Sequence, residues 1–298
     1  MNDSRYLASA AVVVGVDGSA GAVRALRWAT EVARQRDREL RIACGISVDE
    51  RGSALGRFEV LVPALLDELR KDALHTLSDA RVIASEQAPG LPISIQLSAA
   101  GPARLLIEES ADAYLTVISA SGRSAHFGST VRAVAGHGHG PIVVVRQDAD
   151  GQVRRTGPVV VGVDGSRAGE AAIAAAFDEA AERGAGLVAV HACNDLPFER
   201  YAGGMAIAVP ASDLEEVERL IVAERLAGWQ EKYPDVLVTR RLYFSDPVAR
   251  LQQWSSEAQL VVVGSHGRGG FGGMLFGSTA NDLVQHAYCP VMVVHPQL

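Results

Sequence analysis

The string VVVGVDGS occurs twice in this chain, from Val12 to Ser19 and again from Val159 to Ser166, so the second copy begins 147 residues after the first. The same offset places Leu40-Arg41-Ile42-Ala43-Cys44 against Leu187-Val188-Ala189-Val190-His191. Later matches follow at nearby offsets: Ser110 to Arg123 against Ser255 to Arg268, and Gly128-Ser129-Thr130 against Gly277-Ser278-Thr279. One unit of about 150 residues, an ordinary domain size, has therefore been duplicated in tandem. A solenoid needs shorter and more numerous repeats.

Each half alternates strand and helix signals. In the second, Pro158 to Val163 is a continuous apolar run, too short for a helix and without polar alternation, as in a strand covered on both faces. Asp164-Gly165-Ser166 breaks it, and Ala168 to Arg183 is alanine-rich and helix-favouring. Then come a strand Leu187 to Ala192 and an irregular stretch with Pro197, Gly203, Gly204 and Pro210. A helix follows from about Ser212 to Lys232, with Leu214, Val217, Ile221, Leu226 and Trp229 on one face. A strand Val236 to Phe244, a short helix Pro247 to Ser256, a strand Leu260 to Gly264, a helix near Thr279 to His286 and a strand Val291 to Val294 complete it. The first half repeats this order from Val12 to Val145.

Such alternation predicts an α/β fold: two tandem Rossmann-like domains, each a five-stranded, mainly parallel sheet with helices on both faces. The expected domains are 1–147 and 156–298, joined by a polar linker at about Gln147 to Gly157. The two halves are expected to pair as a pseudo-dimer within the chain, with Ile142 to Val145 and Val291 to Val294 as candidate contact edges, and the sequence leaves a homodimer of chains open.

Composition narrows the partners. With 48% apolar residues in 298, each half holds enough to bury a core. A net charge of −7 without a basic cluster argues against nucleic acid or an anionic membrane as the main partner. The three cysteines, Cys44, Cys193 and Cys289, are odd in number and fit incidental thiols in a reducing cytoplasm rather than a disulfide framework. No apolar run approaches the about 20 residues that span a bilayer, and no signal core opens the chain.

The chemistry lies in a glycine pattern. After the fourth strand of the second half, Gly264 is followed three residues on by Gly267, and ten further on by Gly277-Ser278-Thr279 at a helix start. A glycine-rich turn lets backbone N–H groups approach a polyphosphate, and a helix N-terminus adds donors and a favourable dipole. No Gly-Lys-Ser/Thr phosphate loop occurs, and a GxGxxG dinucleotide fingerprint belongs after the first strand. At the end of that first strand Asp164 instead places a carboxylate beside the same crevice, where it can reach a sugar hydroxyl or an adenine edge.

On these residues the chain resembles the universal stress protein family. Its ATP-binding motif, G-x2-G-x9-G-S/T, is matched by Gly264, Gly267, Gly277 and Ser278, and VVVGVDGS looks like its first strand. The whole chain is similar to the tandem two-domain members of mycobacteria and related actinobacteria. The resemblance implies an adenine nucleotide α-hydrolase-like fold and a bound adenine nucleotide, ATP, with any Mg²⁺ held by its phosphates and water. It also implies pairing of domains through the last strand, and a regulatory or signalling role in stress or dormancy toward a partner protein the sequence does not name. Residue by residue, it places Asp164, Gly165, Ser166 and Ala192 at the adenosine, and Gly264, Gly267, Arg268, Gly277, Ser278 and Thr279 at ribose and phosphates. The first half departs from the motif: Ser119 replaces the first glycine, and only the five residues Arg123 to Phe127 separate Gly122 from Gly128-Ser129. There Asp17, Gly122, Gly128 and Ser129 are the matching positions.

Plainer readings stand beside these. Asp17 and Asp164 also suit helix capping, Gly269, Gly270, Gly272 and Gly273 suit a flexible loop, and His266 suits a phosphate contact or a solvent-facing loop equally. His137 and His139 read as a turn before a strand rather than a metal site. His191 reads as a satisfied core residue, and the Leu226 and Trp229 stripe as core packing. No catalytic constellation emerges, so a slow ATPase or adenylate-processing hydrolase is one alternative function and a nucleotide-free interaction module another.

Overall fold

Valine decides the central strands. The structure, a computed structural model, describes residues 10–46, 62–120, 128–148, 150–192, 211–267 and 276–296. In it Val12, Val13 and Val14, and their counterparts Val159, Val160 and Val161, are fully buried in succession. Consecutive β-branched residues with no polar alternate fill both faces of a parallel strand, which is why these runs become strands and not helix turns. The chain divides into two compact units between Arg146 and Gln147.

In the first unit, β1 (Val12–Gly15), β2 (Leu40–Gly45), β3 (Ile93–Ser98), β4 (Leu115–Ser119) and β5 (Pro141–Val145) lie in the order β3-β2-β1-β4-β5. Every pairing in it is parallel, with Val12 opposite both Leu40 and Leu115. The crossovers are α1 (Ala20–Gln35), α2 (Val62–Gln87), α3 (Pro102–Ser110) and α4 (Ser129–His137). Helix α1 packs on α2 and α3 on α4. Because the winding reverses between β1 and β4, right-handed crossovers put these pairs on opposite faces of the sheet.

The second unit repeats the arrangement with β6 (Val159–Gly162), β7 (Leu187–Ala192), β8 (Val238–Tyr243), β9 (Leu260–Gly264) and β10 (Val291–Val294). Their order is β8-β7-β6-β9-β10, again all parallel. Its helices are α5 (Arg167–Glu182), α6 (Ala211–Lys232), α7 (Pro247–Ser255) and α8 (Ser278–His286). The outer strand β8 is largely exposed along Thr239, Arg240 and Arg241, and such charge on an edge discourages pairing with another chain.

The core of the second unit forms where α5 and α6 meet. On α5, Ala172, Ile173, Ala176, Phe177 and Ala180 are buried at helical spacing. Phe177 stacks on Trp229 and Tyr233 of the α6 region, ring centroids 6.3 and 5.8 Å apart, so the aromatic stripe is packing. The buried face of α6 differs from the one its sequence predicts: Val222 joins Leu226, while Val217 is 52% exposed. The helix carries more apolar residues than one face holds, and Val222 and Leu226 are among those that turn inward.

The described residues of the expected linker belong with the second unit. Asp148 Oδ1 accepts hydrogen bonds from the amides of Asp150 and Gln152. Gln259 Nε2 donates to the Gly157 carbonyl at 2.6 Å. His137 closes α4 rather than lying in a turn, with Gly138 as the cap. The irregular stretch around Pro197, Gly203, Gly204 and Pro210, and Cys193, lie outside the described residues.

Candidate functional site

In the second unit the chain reverses its winding between β6 and β9, and the carboxyl ends of these two strands open a crevice above the sheet. From β6 the chain passes through Val163 into Asp164-Gly165-Ser166. Gly165 has φ +72°, a left-handed conformation that glycine adopts without cost. Ser166, extended at φ −81° and ψ 164°, caps α5: its Oγ accepts from the Gly169 amide at 3.0 Å. Asp164 is therefore not the cap. Its Oδ1 accepts from the Ser166 amide at 2.9 Å and from the Ser166 hydroxyl at 2.8 Å, which orients that hydroxyl toward the carboxylate.

The other carboxylate oxygen faces the loop that leaves β9. A Cβ placed on Gly267 would lie 2.8 Å from Asp164 Oδ2, and one on Gly169 would lie 2.5 Å from Oδ1. The carboxylate thus sits between two glycines whose missing side chains make room for it. Gly169 was not legible as a site residue, although a small residue three places after a capping serine is the available signal.

Gly264 ends β9, and Ser265, 1% exposed, donates its amide to the Val294 carbonyl at 2.9 Å. The Ser265 carbonyl in turn accepts from the Gly277 amide at 2.7 Å. That bond brings the glycine that starts α8 back beside Gly267: a Cβ on Gly277 would lie 3.8 Å from the Gly267 amide nitrogen. So Gly264, Gly267 and Gly277, spread over fourteen sequence positions, come together at one strand end. Helix α8 begins there with Gly277 at its N-cap and no side-chain cap. The amides of Ser278 and Thr279, at the positive end of the helix, are the donors that this leaves for an anion. Arg268, with the loop glycines through Gly273, lies outside the described residues.

Ala192 ends β7 next to this crevice, opposite Tyr243 of β8. The residue before it, His191, is 3% exposed and is held at both ring nitrogens. Its Nδ1 lies 2.6 Å from the Val163 carbonyl and its Nε2 lies 2.9 Å from Glu218 Oε2 on α6. The core reading of His191 holds, while its partner Glu218 sits in a charged stretch of α6 to which the sequence alone does not point. His266 contacts Ser265 Oγ at 3.4 Å.

The first unit keeps half of this arrangement. Gly18 has φ +77°, Ser19 caps α1 through the Ala22 amide at 3.1 Å, and Asp17 Oδ1 accepts from the Ser19 amide at 3.0 Å. Gly128 stands at the N-cap of α4 without a side-chain cap, and Ser129 begins the helix. Gly122 and the short loop Arg123 to Phe127 lie outside the described residues. The position of Ala192 is taken by Gly45, and a Cβ there would lie 2.5 Å from the Pro102 backbone. The turn before α3 therefore crowds the strand end at which the second unit has room for a side chain.

Comparison with known proteins follows the duplication. The model of the universal stress protein family matches residues 10–146 and again 156–295. The chain belongs to the universal stress protein family. A universal stress protein of Mycolicibacterium smegmatis is 37% identical over 294 residues, covering 96% of this chain and 97% of that protein. Universal stress protein Rv2623 of Mycobacterium tuberculosis is 37% identical over 299 residues, covering 97% and 98%. Among solved structures, a universal stress protein from Archaeoglobus fulgidus matches with a TM-score of 0.68 at 18% identity, covering 97% of this chain and 98% of that one, a likeness of fold. As a universal stress protein the chain is a tandem of two Rossmann-like units, and no helix among its described residues is long and apolar enough to cross a membrane.

Proposed function

We propose that this universal stress protein binds an adenine nucleotide, ATP, in its second unit and acts as a regulator whose partner surface depends on that occupancy. One observation carries the reading: Asp164, Gly267 and the start of α8 at Gly277 converge at the winding reversal of the sheet. The donor set fits the ligand's chemistry. An anionic acceptor at Asp164 suits a ribose hydroxyl or an adenine amine, and bare backbone amides at a helix N-terminus suit phosphate oxygens.

In this reading Asp164 takes the adenosine, Gly165 and Ser166 hold that carboxylate in place, and Ala192 lines the base through its backbone. Gly264, Gly267 and Gly277 keep the crevice open to the phosphates, while Ser278 and Thr279 supply amides and hydroxyls, with Arg268 beside them. Any Mg²⁺ is carried by the phosphates and water. In the first unit Asp17, Gly122, Gly128 and Ser129 are the equivalent positions, and they bind more weakly because the loop is four residues shorter and Gly45 is crowded by Pro102.

Asp164→Asn tests the assignment. The amide keeps an oxygen for the Ser166 N–H but removes the charge, so the protein is expected to fold as before and to show weakened ATP binding by isothermal titration. Unchanged affinity in this variant removes Asp164 from the site.

A further inference from the structure

We propose that His191 is a positioning residue for the nucleotide site of the second unit, and that it acts through the Val163 carbonyl. The proposal rests on the placement of that site at Asp164. Val163 immediately precedes Asp164 and is gripped by β7 twice. Its amide donates to the Val190 carbonyl at 2.9 Å, and its carbonyl meets His191 Nδ1 at 2.6 Å. A carbonyl can only accept, so Nδ1 carries a hydrogen and donates it. The imidazole is inside the protein, 3% exposed, where a directed hydrogen bond fixes its neighbours more firmly than in water.

The same ring reaches the other way. Nε2 lies 2.9 Å from Glu218 Oε2, which joins β7 to α6. Arg225, about two turns further along α6, pairs with Glu170 in the first turn of α5. Helix α6 is thus tied at two polar points to the segment that carries Asp164, Gly165 and Ser166. His191 is the tie that reaches the backbone itself, and the next residue in its own strand is Ala192. One buried side chain therefore sets the spacing of the strand ends that flank the base.

The first unit supplies the contrast. Its equivalent of His191 is Cys44, and its equivalent of Val163 is Val16, whose amide keeps the bond to the Ala43 carbonyl at 2.9 Å. A thiol offers one weak donor at a single atom, whereas the ring presents a nitrogen to the carbonyl on one side and another to the carboxylate on the other. The tie belongs to the unit with the complete glycine motif.

The test uses three variants of the full chain with ATP as the probe. His191→Asn keeps a donor near the Nδ1 position and loses Glu218; His191→Gln keeps a donor near Nε2 and loses Val163; His191→Leu loses both. Positioning through Val163 predicts that Leu and Gln each weaken ATP binding about tenfold or more, while Asn stays near wild type. Thermal midpoints should fall alike for Asn and Gln. Affinities of Asn and Gln that fall in step with their midpoints make His191 merely structural and overturn the proposal, as does wild-type affinity in His191→Leu. If the wild-type protein binds no ATP, the site reading fails by itself. Amide exchange in the ligand-free protein then decides the proposal: faster exchange at Ser166 and Gly169 in Leu but not in Asn supports it, and equal exchange in all three overturns it.

Discussion

Replacing Gly277 by alanine separates binding from folding. The glycine has φ −59°, which any residue adopts, and an added Cβ would find its nearest neighbours at 3.5 Å, the Ser265 carbonyl, and 3.7 Å, the His266 Cα. Both are ordinary van der Waals distances, so the fold has room. Alanine is a poorer N-cap than glycine by several tenths of a kcal/mol, while its stiffer unfolded chain returns about 0.4–1 kcal/mol. The opposed terms leave a net change below about 1 kcal/mol, or about 2–4 °C in Tm for a unit of this size.

Binding should respond far more. In the proposed site a methyl at the N-cap stands where a phosphate would approach the Ser278 and Thr279 amides, and hydrogen bonds to a charged group contribute about 1.5–3 kcal/mol each. Losing one such bond corresponds to an ATP affinity weaker by about ten- to a hundredfold. Differential scanning calorimetry of the ligand-free variant beside isothermal titration with ATP reads both quantities. An unchanged affinity at an unchanged Tm refutes the phosphate position, and a Tm lowered by much more than the expected few degrees refutes the packing argument.

Other perturbations probe the frame around the site. Gly165→Ala forces a side chain into φ +72° and should destabilise the second unit by about 1–2 kcal/mol, seen as a lower urea midpoint at unchanged slope; an unshifted midpoint contradicts the conformation. Ser255 is fully buried and accepts the Tyr288 amide at 3.0 Å, so Ser255→Ala strands that donor and should cost about 1–3 kcal/mol in the same assay. Phe177→Ala empties the centre of the aromatic stack and should cost about 3–5 kcal/mol, and a loss below about 1 kcal/mol would show that α6 does not depend on it.

What the sequence disclosed follows from how local each signal is. The central strands were legible because a valine run buried on both faces has no competing periodicity, and the order of elements because both halves repeat it. The face of α6 was not, since Val217, Ile221 and Val222 all offer apolar surface and only tertiary packing selects among them. The glycine spacing pointed to the crevice, yet the contact between Asp164 and Gly267 joins residues about a hundred positions apart, and nothing local encodes it. The plainer reading of Asp164 as a helix cap gives way because Asp and Ser both favour helix starts, and the positive φ of Gly165 hands the cap to Ser166. His191 reads as a satisfied core residue and is one; what stays illegible is its partner Glu218, which lies in a charged helix segment.

The central claim is that the second unit holds an adenine nucleotide. Denaturing freshly purified protein, incubated with ATP and freed of excess, and counting the released nucleotide by chromatography tests it most directly. The account predicts one adenine nucleotide per chain, retained when Asp17 is replaced by asparagine and lost when Asp164 is. No nucleotide from the wild-type chain, or the same amount from the Asp164 variant, contradicts it.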